Sequence, residues 1–204
     1  MGERRDSKKR ETRQRISDVA TAMFFERSFE AVTLDEIAVA ANVSKMTVFN
    51  YFARKEDLIL DREDDLLLVP FRDAIRRRPT GQSPVDALRG FFDASRQKDH
   101  AFARIDRMTV GWWRVVEASP TLKARIRELA DEATEGLAVA LGGDKPDGDA
   151  RLVAGMIVLT VRTAREEAIR IYQRGGSAKK ANATLLGLVN RGFTAIERMT
   201  ARPT

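Results

Sequence analysis

The stretch from 33 to 55, TLDEIAVAANVSKMTVFNYFARK, constrains the chain most, because it holds two helix starts with a turn signal between them. Thr33 is a capping residue, and Glu36 sits where it closes a capping box. Leu34, Ile37, Ala38 and Ala41 then share one face at helical spacing. Asn42 tolerates the left-handed conformation in which helices often end. Val43 is apolar and suits the corner, and Ser44 caps a second helix running from Lys45 to about Phe52. Val48 and Phe52, four apart, are expected to face inward. Lys45, Thr47, Asn50 and Tyr51 are left on the outward side, a set with one cation, three polar groups and no acid. Such a helix spans roughly 12 Å, a length that matches a DNA major groove.

These residues resemble the DNA-binding signature of the TetR family of transcriptional regulators. The signature is carried by Thr33, Ile37-Ala38, Ala41-Asn42-Val43-Ser44, Thr47, Phe49, Tyr51-Phe52, Lys55-Glu56 and Leu58, and it covers about the first 60 residues. Asn42 and Met46 stand where the family commonly has glycine, Phe49 where it commonly has tyrosine, and Arg54 where it commonly has serine. The resemblance implies an all-α protein of about nine helices. A three-helix head with a helix-turn-helix, residues 1–54, would precede a helical effector-binding and dimerisation body, residues 55–204. It also implies that Lys55, at the start of a fourth helix, meets a DNA phosphate, helped by free backbone N–H groups.

Composition limits the alternatives. The 204 residues are 43% hydrophobic, enough for a core, and carry a net charge of +6 that suits a polyanion. There is no cysteine, hence no disulfide, thiolate metal site or cysteine nucleophile. The apolar run near Leu152–Val161 is too short to span a bilayer, so a cytoplasmic protein is expected. One histidine, His100, has no partner pattern for catalysis, and no phosphate-loop, dinucleotide or HExxH motif occurs. Neither an enzyme, a cofactor nor a metal is expected; the acidic run Asp61–Asp65 reads as a solvated face.

Residues 1–15 hold Arg4, Arg5, Lys8, Lys9, Arg10, Arg13 and Arg15 against Glu3, Asp6 and Glu11. This arm is either a solvated terminus or a segment that follows phosphates or enters the minor groove, and the helix-turn-helix behind it favours the second. A helix is expected from about Lys8, with Ile16, Val19, Ala20, Met23 and Phe24 as its apolar stripe. The expected DNA-facing set is Arg10, Thr33, Ser44, Lys45, Thr47, Phe49, Asn50, Tyr51 and Lys55. Lys45, Thr47 and Asn50 are the expected base readers: Lys45 suits guanine, Asn50 suits adenine, Thr47 offers a methyl and a hydroxyl, and Tyr51 donates to a phosphate.

The body shows only helical punctuation. Ser83-Pro84 and Ser119-Pro120 start helices, Pro79-Thr80-Gly81 and Gly142-Gly143 stop them, and a further helix is expected from about Phe102 to Val116. Phe71, Phe91, Phe92, Met108, Trp112 and Trp113 lie where the resemblance implies an effector pocket. They are either ordinary core or a cavity lining. Ser95, Thr109 and Thr160 interrupt apolar stripes, which fits hydroxyls that orient a ligand, and Arg162 or Arg165 suits an acidic group. The ligand set is thus Phe71, Phe91, Phe92, Ser95, Met108, Thr109, Trp112, Trp113 and Arg162, for a small, largely apolar effector.

Two long helices, from about 149 to 174 and from about 179 to 199, close the chain. The first is apolar almost all round in its first half, which demands cover on every side. Either both helices are core, or they pair with a second copy in a four-helix bundle. The resemblance favours the bundle, with Met156, Leu185, Val189, Phe193 and Ile196 at the homodimer interface. A palindromic operator, two reading helices roughly 34 Å apart and release by the effector follow from that reading. Repression is the common mode of the family. The alternative is a ligand-independent DNA-binding or architectural protein of the same fold.

Overall fold

Serine, threonine and aspartate caps set many of the helix starts. The computed structural model describes residues 2–60, 69–98, 100 and 103–200. Among the described residues are nine α-helices and no strand: α1 (Gly2–Arg27), α2 (Leu34–Ala40), α3 (Lys45–Tyr51), then the 3-10 turn Glu56–Leu58, α4 (Val69–Arg76), α5 (Pro84–Gln97), α6 (Arg107–Ala118), α7 (Pro120–Gly142), α8 (Gly148–Gln173) and α9 (Ala178–Thr200). Thr33, Ser44, Ser83 and Asp147 each accept a hydrogen bond from a backbone N–H in the first turn of the helix they cap. The chain divides into two units, Met1–Glu63 with Gly111–Arg127, and Asp64–Val110 with Glu128–Thr204. The acidic run Asp61–Asp65 and Phe102 lie outside the described residues.

In the first unit, Ile16, Ala20 and Phe24 of α1 are buried with Ile37, Ala38, Val48 and Phe52. The Phe24 and Phe29 rings meet 5.1 Å apart. The Ser17 hydroxyl donates to Leu58 O at 2.9 Å, and the Trp112 indole N–H donates to Ile59 O at 2.9 Å. Two successive carbonyls of the segment behind the helix-turn-helix are thereby satisfied. Two boundaries differ from expectation. The helix expected from Lys8 begins at Gly2, because the basic stretch is rich in strong helix formers and is stitched by i,i+4 contacts such as Ser7 to Glu11. Lys55 is followed by a single 3-10 turn rather than directly by an α-helix.

In the second unit, α8 and α9 form the most extensive pairing. Gly175, at φ 87°, turns the chain between them. Their close approach depends on Gly192, where a Cβ would lie 2.3 Å from Thr160 Cγ2. Thr160 therefore fills a helix crossing instead of presenting its hydroxyl to a ligand. Arg89 of α5 grips α9, donating to Glu197 at 2.8 Å and Thr194 at 2.9 Å. Asn182 of α9 closes a two-way pair with the backbone of Ile105, at 2.8 and 2.9 Å. The helix expected from Phe102 starts at Arg107, since Asp106 accepts from the Thr109 N–H and so caps it.

The expected dimer residues need correction. Leu185, Val189, Phe193 and Ile196 are all buried within the single chain. They form the inward stripe of α9, and each contributes about 1.5–3 kcal/mol by leaving water. Met156 is half-buried. The apolar surface that remains on α8 is Leu152 and Leu159, both more than half exposed, with Met156 between them at i+4 and i+7 spacing.

Candidate nucleic-acid interface

The turn between α2 and α3 is built by local chemistry. Thr33 Oγ1 accepts from the Glu36 N–H at 3.3 Å, and Glu36 Oε2 accepts from the Thr33 N–H at 2.8 Å, which completes the capping box. The Thr33 backbone first, then Arg27 and the Thr33 hydroxyl, hold the Glu36 carboxyl down to about 2 from an ordinary 4.5. Asn42 takes φ 53°, and the Val43 N–H closes back on Ala38 O at 2.9 Å. Ser44 then accepts from the Thr47 N–H at 3.0 Å and opens α3.

On α3, Val48 is buried and Phe52 closes the helix from beneath. The exposed side consists of Lys45, Met46, Phe49 and Asn50. Thr47 and Tyr51, assigned outward from the sequence, are half-buried. Thr47 shares a hydrogen bond of 2.8 Å with the Ser44 hydroxyl. It serves the cap, and its polar atom is occupied. Lys45 pairs with Asp35 of α2 at 2.8 Å, with both side chains well exposed. That pair is weak in water and can open for a stronger anion. Thr33 and Ser44, expected among the DNA contacts, act here as caps, although both remain at the surface.

The basic stretch is tied to this helix. The Arg13 guanidinium donates to Tyr51 O, at the C-terminal end of α3, and lies 4.3 Å above the Phe52 ring. A cation there complements the helix dipole as well as the free carbonyl. Lys8, Lys9 and Arg10 lie about one turn before Arg13 on α1 and are exposed. This segment is helical, which favours a course along the phosphates over entry into a minor groove about 6 Å wide.

Lys55 departs from its expected role. Its ammonium donates to Phe29 O and sits 4.4 Å from the Phe29 ring and 5.7 Å from the Phe24 ring. Desolvation lowers its pKa and outweighs the opposing pull of Glu30, Glu56 and Glu36. The cation pins the segment between α1 and α2 instead of standing free at the surface.

The expected ligand residues are distributed over both units. Phe71, Phe92 and Ser95 are buried and Phe91 is half-buried, with Phe71 and Phe91 meeting edge-on at 5.3 Å. Trp112 and Trp113 meet edge-on at 4.9 Å in the first unit. Thr109 gives its hydroxyl to Asp106 at 3.0 Å. Met108 is largely exposed, and Arg162 is a surface residue 3.9 Å from Glu166. Neither is an interior lining residue: Met108 presents its thioether to water, and Arg162 belongs to an i,i+4 pair. Among the described residues, no group of three or more His, Cys, Asp or Glu is placed to hold a metal ion.

A short capped helix presented on a three-helix head, with a basic helix tied to its end, defines a helix-turn-helix protein. Residues 16–61 match the bacterial regulatory proteins of the tetR family. The chain is 31% identical over 137 residues to the HTH-type transcriptional regulator TcmR of Streptomyces glaucescens, a match spanning 66% of this chain and 60% of TcmR. It is 27% identical over 191 residues to the HTH-type transcriptional repressor KstR2 of Mycolicibacterium smegmatis, covering 89% of this chain and 90% of that one. Its fold is like that of a TetR-family regulator from Mesorhizobium loti, with a TM-score of 0.56 at 16% identity over 94% of this chain and 97% of that chain. Residues 16–61 carry the tetR-family head, and over most of its length the chain is similar to regulators of that family. Its curated relatives are regulators rather than enzymes. Among the described residues, no helix is long and apolar enough to cross a membrane.

Proposed function

We propose that the protein is a DNA-binding transcriptional repressor that grips a palindromic operator as a homodimer and lets go when a small, largely apolar effector binds its body. The observation that carries this reading is the exposed face of α3, held at its start by the Ser44 cap and at its end by Arg13 of the basic helix. Phosphate contacts come from Lys8, Lys9 and Arg10 of α1, with the Tyr51 hydroxyl as a further donor. Base contacts come from the exposed face of α3. The stripe Leu152, Met156 and Leu159 supports pairing of two copies through the last two helices, because an apolar stripe of this kind is stabilised by a matching one.

The domain division follows the same logic: residues 1–54 read DNA, and residues 55–204 carry the effector and dimer functions. With Lys55 withdrawn, Lys8, Lys9 and Arg10 supply about three phosphate-facing cations per protomer. The dimer then neutralises ~6 phosphates, and log K falls with log salt at a slope of about −5. Titration of promoter DNA by fluorescence anisotropy at several salt concentrations tests this. Binding that ignores salt, or a protein that binds as a monomer, overturns it.

One observation favours the ligand-independent reading. The Trp112 N–H and the Thr109 hydroxyl, both on residues of the expected ligand set, are already satisfied by Ile59 O and Asp106. Thermal unfolding against a panel of small hydrophobic compounds separates the readings. A binder at ~100 times its dissociation constant adds about 2.7 kcal/mol, and a true effector also releases the DNA. A panel without any shift leaves the DNA-binding dimer and removes the sensor.

A further inference from the structure

Half of the exposed face of α3 is apolar. Lys45, Met46, Phe49 and Asn50 are neighbours on one side of the helix, at i, i+1, i+4 and i+5. Met46 is 68% exposed and Phe49 is 47% exposed. Neither packs into the core, whose contact with α3 is made by Val48 and Phe52. The polar neighbours are partly engaged: Lys45 by Asp35, and the Thr47 hydroxyl by Ser44. Met46 is the second residue of α3, and the residues nearest the start of a reading helix are the ones that reach base edges.

An exposed apolar pair on a seven-residue helix needs a partner with an apolar point in a polar, anionic setting. The cations around it fix the setting. Lys45 stands beside Met46, and the exposed Lys8, Lys9 and Arg10 belong to the helix tied to the end of α3. In the major groove, the one apolar feature on any base edge is the C5 methyl of thymine. A thioether chain is unbranched and polarizable, and it follows such a methyl closely. We infer that Met46, with Phe49 beside it, selects a T·A pair in each half-site by packing on the thymine methyl. A cytosine at that position offers no methyl and leaves its N4 donor facing an apolar chain.

This inference rests on the DNA-reading proposal above, and the test separates the two. Sequences bound by the full-length protein are first selected from a random duplex library. Each thymine of the selected site is then replaced by uracil, which removes only the methyl. Affinities are measured for the wild type and for Met46→Ala, whose fold is checked by its melting curve. The expected result is one thymine per half-site whose replacement weakens wild-type binding about fourfold, as burial of one methyl predicts, and leaves Met46→Ala binding unchanged. A second variant, Met46→Arg, is expected to move the selected pair at that position from T·A to G·C. The inference is overturned if every uracil replacement is neutral, or if the sensitive position stays equally sensitive in Met46→Ala. Failure of the wild type to enrich any sequence would defeat the DNA-reading proposal itself.

Discussion

Glu36 joins two devices in one side chain. It closes the capping box with Thr33 and pairs with Arg27 at 2.7 Å. Its carboxyl titrates near 2 in the folded head and near 4.5 when free, so the folded state holds the proton less tightly. The stabilisation is complete above pH 4.5 and is lost as pH falls from there towards 2. Melting temperature measured between pH 5 and pH 2 is expected to fall with acid, and to fall less steeply in Glu36→Gln. An equal slope in both proteins would mean that other carboxylates dominate. Lys55 supplies the second prediction at this scale. Its ammonium is satisfied by Phe29 O and two rings, so Lys55→Met is expected to leave the salt slope of DNA binding unchanged. A slope shallower by about 1.8 for the dimer would show that both lysines swing out to phosphates.

Among elements, α3 is short, and its orientation depends on what holds its two ends. Ser44 holds the start through local hydrogen bonds, which is why the cap was legible in the chain. Arg13 holds the far end across 38 residues of sequence. No local pattern announces such a contact; a row of arginines reads simply as charge. The outward set was misjudged for a related reason. Spacing puts Met46 nearly opposite the buried Val48 and Thr47 only at its flank, and the cap hydrogen bond to Ser44 ties Thr47 down, so the outward position belongs to an apolar side chain where a polar one was expected. The pairing of α8 with α9 makes a sharper prediction. Gly192→Ala places a methyl against Thr160, and overpacking of this kind costs about 1–3 kcal/mol. Urea unfolding is expected to show a lower midpoint, and an unchanged midpoint would mean that the crossing can spread.

For the whole molecule, dimerisation is the property on which the operator reading depends. If the stripe on α8 pairs two copies, Leu159→Glu puts a carboxylate into an apolar interface. The variant is expected to sediment as a monomer at concentrations where the wild type is a dimer, and to lose operator affinity by more than tenfold while keeping its helical circular dichroism. A dimeric variant would place the interface elsewhere. The sequence by itself determined the helical class, the two caps of the helix-turn-helix, the left-handed Asn42 turn and the apolar faces, because each depends on residues within one or two turns of each other. The tertiary structure alone decided which apolar stripe is spent inside. Leu185, Val189, Phe193 and Ile196 went to the interior of one chain, and Leu152 and Leu159 stayed outside. It also turned Lys55 inward. Burial depends on the residues that other elements bring near, and periodicity along a single helix carries no record of them.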